Sequence, residues 1–114
     1  MSLLKLVAVD GARRTDSESR KLLHLSKMYF EKAGADVYLF DQSTELLPVY
    51  DESEASVEHP SVSRLVSSVH EADVIVLCSP EYHGSMSGAM KNALDWLTLL
   101  SEKGNLRGKV VGLM

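Results

Sequence analysis

The feature that most constrains this chain is a repeated change of hydrophobic period. Four short apolar runs stand out: Leu4 to Val9, Asp36 to Phe40, Asp73 to Cys78 and Lys109 to Leu113. They are too short for stable helices, and β-branched stretches such as Val74-Ile75-Val76 favour strands. The third run is almost continuously apolar, as a strand buried on both faces is.

Between the runs, apolar residues recur at helical spacing. Leu22, Leu25, Met28 and Tyr29 follow the Asp16-Ser17-Glu18-Ser19 cluster, whose side chains offer N-cap oxygens, and Gly34 suits the C-terminal cap. A second helix is predicted from Pro60, where the first helical position needs no N–H, with Val62, Leu65, Val66 and Val69 on one face. A third is predicted from Ser87, with Ala89, Met90, Ala93, Leu94, Leu97 and Leu100 inward and Gly104-Asn105 as its stop. The resulting order, β-α-β-α-β-α-β, gives an α/β fold with a parallel sheet and helices on both faces. Ser43 to His59, with Asp51, Glu52, Glu54 and Glu58, reads as a solvated connection.

At 114 residues, 45% hydrophobic and 25% charged, the chain suits a single domain spanning 1–114. A net charge of −4 without a basic run gives no reason to propose nucleic acid or an anionic membrane as partner. Cys78 is the only cysteine, so no internal disulfide can form, and the four histidines are scattered without metal-ligand spacing. No apolar run approaches the length of a membrane span, and the N-terminus lacks a signal-peptide pattern. These features make the cytoplasm the expected compartment.

In a doubly wound sheet of order 2-1-3-4-5, ligands bind where the strand order reverses, beside the ends of the first and third strands. The loops there are Asp10 to Ser19 and Ser79 to Ser87. In the first, Gly11 permits a tight turn, and Thr15, Ser17 and Ser19 supply hydroxyls at a helix N-terminus suited to phosphate. Arg13 or Arg14 could add a charged contact. Taken alone, the loop is also an ordinary hydrophilic turn with a capped helix, and Asp10 and Asp16 argue mildly against an anion. The second loop exceeds the usual two to six or so residues of a βα connection. It carries Pro80, Gly84 and Gly88, with Tyr82 and Met86 as flat or soft surfaces for a ring system.

The run Pro80-Glu81-Tyr82-His83-Gly84-Ser85, followed by Lys91-Asn92-Ala93-Leu94-Asp95-Trp96, resembles the loop-and-helix signature of NADPH-dependent FMN reductases. Gly11, Arg14, Ser17 and Ser19 match that family's first-loop pattern, with Ala12 in place of a serine, and Leu47 to Asp51 looks like its second connection. The resemblance implies a flavodoxin-like doubly wound sheet with four of five expected strands and the C-terminal portion lacking, including a third, Gly-rich flavin loop. By the same resemblance, Arg14, Ser17 and Ser19 would hold the phosphate of FMN, with Gly11 in the same loop. Pro80, Glu81, Tyr82, His83, Gly84 and Ser85 would border the flavin ring. NAD(P)H would be the co-substrate, a flavin, quinone or similar small molecule the electron acceptor, and the assembly a homodimer or homotetramer. No catalytic side chain is assigned, because the flavin carries the redox chemistry.

The alternative is a non-enzymatic electron carrier, or a shortened domain that no longer binds flavin. A phosphoacceptor receiver domain is rejected, because Cys78-Ser79-Pro80 offers no carboxylate where one is needed. Cys78 reads as an inert core residue, Lys91 and Asp95 as an i,i+4 ion pair, Trp96 as a core or subunit-contact anchor, and Tyr38 and Tyr50 as packing residues.

Overall fold

The computed structural model describes residues 3–52 and 58–114. Glu54, in the expected Ser43–His59 connection, lies outside the described residues. The order is β1 (Lys5–Asp10), α1 (Glu18–Lys32), β2 (Asp36–Phe40), α2 (Pro60–Glu71), β3 (Val74–Cys78), β4 (Glu81–Tyr82), β5 (Ser85–Met86), α3 (Gly88–Trp96), a 3₁₀ segment (Leu97–Lys103) and β6 (Val110–Leu113). The four predicted strands form one parallel sheet in the order β2-β1-β3-β6. This is the expected flavodoxin-like architecture, with β1 and β3 adjacent and Asp10 in register with Cys78.

Alternating side chains of the central strands feed two cores. On one face Val7, Val9 and Ile75 meet Val62, Leu65 and Val69 of α2, Met90, Ala93 and Trp96 of α3, and Leu100. On the other, Leu6, Ala8, Val76 and Cys78 meet Leu23 of α1, with Phe30 half-buried beside it. The second core is the thinner one. On the edge strand β6, Val110 is 65% and Leu113 79% exposed.

Helix α1 departs from expectation in orientation. Leu22, Leu25, Met28 and Tyr29, whose spacing signals the helix, are exposed, while Leu23 is fully buried. Spacing fixes helicity, but only the packing of Leu23 on the sheet fixes which way the helix is turned. Ser17 caps α1 as read, its Oγ accepting the Arg20 N–H at 3.1 Å, whereas the C-cap is Ala33, and Gly34 follows it in the left-handed region with its N–H closing on the Glu31 carbonyl. In α2, Pro60 follows an N-cap that the sequence did not disclose, His59, whose Nδ1 accepts the Ser61 N–H at 3.2 Å. The α-helical part of α3 ends at Trp96, earlier than expected, and the 3₁₀ segment carries the chain on to Gly104. Lys109 Nζ donates to the His70 and Ala72 carbonyls, tying the start of β6 to the end of α2.

The irregular connection is anchored rather than merely solvated. Asn92 Nδ2 and Trp96 Nε1 both donate to the Pro48 carbonyl, at 3.0 and 2.8 Å, and Asn92 Oδ1 accepts the Tyr50 N–H. The Tyr50 ring meets Trp96 edge-on at 4.9 Å. The Asn92 and Trp96 signature positions thus work as a clamp, and Trp96 is a core residue. Tyr38 is less a packing residue than expected: at 37% exposure its hydroxyl donates to Glu45, which also pairs with Arg64.

Candidate functional site

The adjacent C-terminal ends of β1 and β3 bring the two unusual loops together. The Gly11 N–H donates to the Cys78 carbonyl at 2.7 Å. Ser87 Oγ donates to the Gly11 carbonyl at 2.6 Å and accepts the Met90 N–H at the start of α3. Ser79 Oγ accepts the Ser87 N–H at 2.9 Å, closing the base of the second loop. Gly11 is buried, with both backbone polar groups bonded internally. A Cβ there would meet Met90 Cβ, Ser79 Cα and Ser87 Oγ, each at 3.1 Å. Its φ lies outside the left-handed region, so a glycine stands there to let two loops approach, and the tight-turn reason given by the sequence is not the one that applies.

Ser17 and Ser19 sit at the N-terminus of α1, their hydroxyl oxygens 3.4 Å apart. In a helix the first amides have no intrahelical carbonyl, and the aligned peptide dipoles make this end positive. Ser17 Oγ occupies the Arg20 amide, leaving the Glu18 and Ser19 amides outside the intrahelical pattern. Arg14 projects into solvent, paired with Asp16 at 3.2 Å, the two side chains 74% and 78% exposed. A surface pair of this kind is worth about 0–1 kcal/mol, so its loss would oppose an incoming anion little. Ala12 is buried and its N–H donates to Asp10 Oδ1 at 2.8 Å.

The second loop is not irregular. Glu81–Tyr82 and Ser85–Met86 pair as a minimal antiparallel hairpin across His83 and Gly84. Both turn residues have positive φ, 54° and 78°, the geometry of a type I′ turn that suits Gly84 and constrains His83. Tyr82 and Met86 are 56% and 45% exposed. Pro80 lies half-buried at the hairpin's base, and Glu81, His83, Gly84 and Ser85 are exposed along it. Gly88 is simply the first residue of α3, with no positive φ.

Asp10 and Ser87 are the residues that sequence reading undervalued. Ser87 was visible as a helix start, but its bond to Gly11 joins residues 76 apart in the chain. Asp10 is fully buried, its Oδ2 has no hydrogen-bond partner among the described residues, and burial pushes its carboxyl above the usual carboxylate range. Cys78 is buried, its thiol donates to the Ser19 carbonyl at 3.2 Å, and burial and the nearby Asp10 raise its pKa, so it is no ready nucleophile.

Comparison with known proteins gives a consistent picture. The sequence matches the NADPH-dependent FMN reductase family over residues 4–114. It is 38% identical over 95 residues to an NADPH azoreductase of Bacillus sp. (strain OY1-2), covering 83% of this chain and 51% of that protein. It is 36% identical to the FMN-dependent NADPH-azoreductase of Staphylococcus saprophyticus, covering 97% of this chain and 59% of that one. Among solved structures, the flavoenzyme NAD(P)H:(acceptor) oxidoreductase FerB of Paracoccus denitrificans superposes with a TM-score of 0.83 at 26% identity, covering 98% of this chain and 60% of its own. The chain therefore spans between half and three-fifths of the length of these relatives. Among the described residues no helix is long and apolar enough to cross a membrane. By sequence match, by fold and by the two loops held at the ends of β1 and β3, this chain belongs to the NADPH-dependent FMN reductase family.

Proposed function

We propose that this chain binds FMN and works in an NAD(P)H-dependent oxidoreductase that reduces a flavin, a quinone, an azo compound or a similar small acceptor. The observation that carries the reading is the junction of Gly11, Ser79 and Ser87, which fixes a helix N-terminus and an exposed hairpin side by side. That arrangement fits a phosphorylated ring compound. The Glu18 and Ser19 amides, the Ser17 and Ser19 hydroxyls and the Arg14 guanidinium are the donors for a phosphate. Pro80, Glu81, Tyr82, His83, Gly84 and Ser85 offer backbone amides and carbonyls, and Tyr82 an exposed ring, along the edge where a flavin would lie. Gly11 acts by holding the loops at their separation.

Bound FMN supplies the hydride and electron transfer, which no side chain here provides. The protein's part is position: Ser87 holds the start of α3 against the first loop, and the type I′ turn sets the direction of the hairpin amides. A two-residue hairpin is marginal by itself, so its geometry depends on the Ser79–Ser87 base. The exposed Tyr82, Met86 and Val49 are consistent with a homodimer or homotetramer contact near the flavin edge. One buried, free cysteine is compatible with the reducing cytoplasm.

The test is spectroscopic. Purified protein supplied with FMN should show flavin absorption and quenched flavin fluorescence, and should then oxidise NADH or NADPH with a quinone or free FMN as acceptor. Failure to retain FMN would refute the proposal for this chain. FMN binding without NAD(P)H oxidation would favour the electron-carrier alternative.

A further inference from the structure

We infer that Asp10 is a proton-linked positioning residue of the phosphate loop, which shares the positive end of α1 with a bound phosphate and takes up a proton when that phosphate arrives. The inference rests on the flavin reading above and adds a regulation of the same site.

Asp10 is 0% exposed. Leu6 and Ala8 of its strand face α1, and alternation places the Asp10 side chain on that face too. Its register partner Cys78 donates to the Ser19 carbonyl, so both side chains lie beneath the first turn of α1. One carboxyl oxygen, Oδ1, accepts the Ala12 N–H at 2.8 Å and shapes the first loop. The other, Oδ2, is buried with no hydrogen-bond partner among the described residues. A buried carboxylate should not leave an oxygen unpaired, whereas a neutral acid has less to lose there.

The charged and titratable groups around Asp10 come from three elements. Arg20 and His24 on α1 favour its ionised form, while Asp41 after β2 disfavours it. Cys78 on β3 is itself raised by Asp10. Arg20 is already engaged by Asp41, through bonds of 3.2 and 2.7 Å, and by Ser43. Beside these charges lies the positive end of α1, which is also the attraction for a phosphate.

A like charge disfavours the ionised carboxyl. Phosphate bound at α1 makes Asp10 carboxylate accept a proton from solvent, giving the neutral acid, and no other bond changes. By linkage, phosphate affinity then falls as pH rises through the titration of Asp10. The phosphate of FMN has its own second ionisation near about pH 6, and preference for the dianion there would act with the opposite sign. Comparing Asp10 with a non-ionising residue separates the two effects.

The experiment is titration of the whole chain with FMN, and with riboflavin as the phosphate-free probe, across acid to neutral pH in wild type and D10N. Asn keeps an oxygen for the Ala12 N–H and cannot ionise. Relative to D10N, wild-type affinity for FMN should fall with rising pH, by at most about tenfold per unit. Calorimetry in buffers of different ionisation enthalpy should show proton uptake on FMN binding that D10N lacks, and riboflavin should show neither effect. Parallel pH profiles and equal proton counts for the two proteins, both binding FMN, would overturn the inference. Should D10N not fold, Asp10→Ser gives the same comparison. If neither FMN nor riboflavin binds wild type, the flavin reading itself fails, and this inference with it.

Discussion

Gly11→Ala is the sharpest structural test of how the site is assembled. The added methyl would meet Met90 Cβ, Ser79 Cα and Ser87 Oγ at 3.1 Å each. Carbon atoms in good contact sit about 3.5–4.0 Å apart, so each neighbour must give several tenths of an ångström. Two of the three cannot rotate away, because Ser79 Cα is backbone and Met90 Cβ is fixed to a helix. The third, Ser87 Oγ, is held by its 2.6 Å bond to the Gly11 carbonyl. Overpacking of this kind costs about 1–3 kcal/mol. Weakening the Ser87 bond adds about 1 kcal/mol. Against that, alanine restricts the unfolded chain and returns about 0.4–1 kcal/mol, since this position needs no positive φ. The balance is a loss of about 2 kcal/mol, which for a domain of this size lowers Tm by roughly 8 °C. Urea denaturation should show a lower midpoint at unchanged slope. Flavin affinity should fall further than stability does, because the loops are forced apart. The control is Gly88→Ala, where a Cβ meets nothing within 4 Å. There the change should be neutral or stabilising by up to about 1 kcal/mol. A G11A protein as stable as wild type, or a G88A protein equally destabilised, would refute the reasoning.

Three further outcomes follow from the same geometry. Asp10 has a folded-state pKa raised above its unfolded value, so its contribution is fully present below the unfolded pKa and is lost as pH rises through the folded one. D10N should therefore gain stability over wild type on going from acid to neutral pH, by about 1.4 kcal/mol for each unit of the upward displacement; urea melts at both pH values measure it. Asn92→Ala removes two bonds to the Pro48–Tyr50 connection, and should cost about 1–3 kcal/mol and speed amide exchange at Tyr50. Tyr38 is raised to about 12 by burial and by its bond to Glu45; in an alkaline absorbance titration, Tyr38→Phe should remove a phenol step at that high pH.

The features legible in the amino-acid order are local and periodic. The alternation of β-branched runs with helical spacing set the element order, because a strand repeats every two residues and a helix every 3.6 or so. Ser17, Pro60 and Gly34 marked helix ends, because capping acts within a turn. The run from Pro80 to Trp96 identified the family as a string of residues. What each of those residues does was decided by tertiary structure. Asn92 and Trp96 bind a carbonyl more than forty positions away, that of Pro48. Leu22, Leu25, Met28 and Tyr29 announced a helix, yet the sheet chose Leu23, because spacing carries no information about which side meets a neighbour. Gly11 read as a turn glycine and proved to be the point where two loops touch. Asp10 read only as a mild argument against an anion and is fully buried, because the neighbours that enclose it arrive from α1, β2 and β3 only when the chain folds.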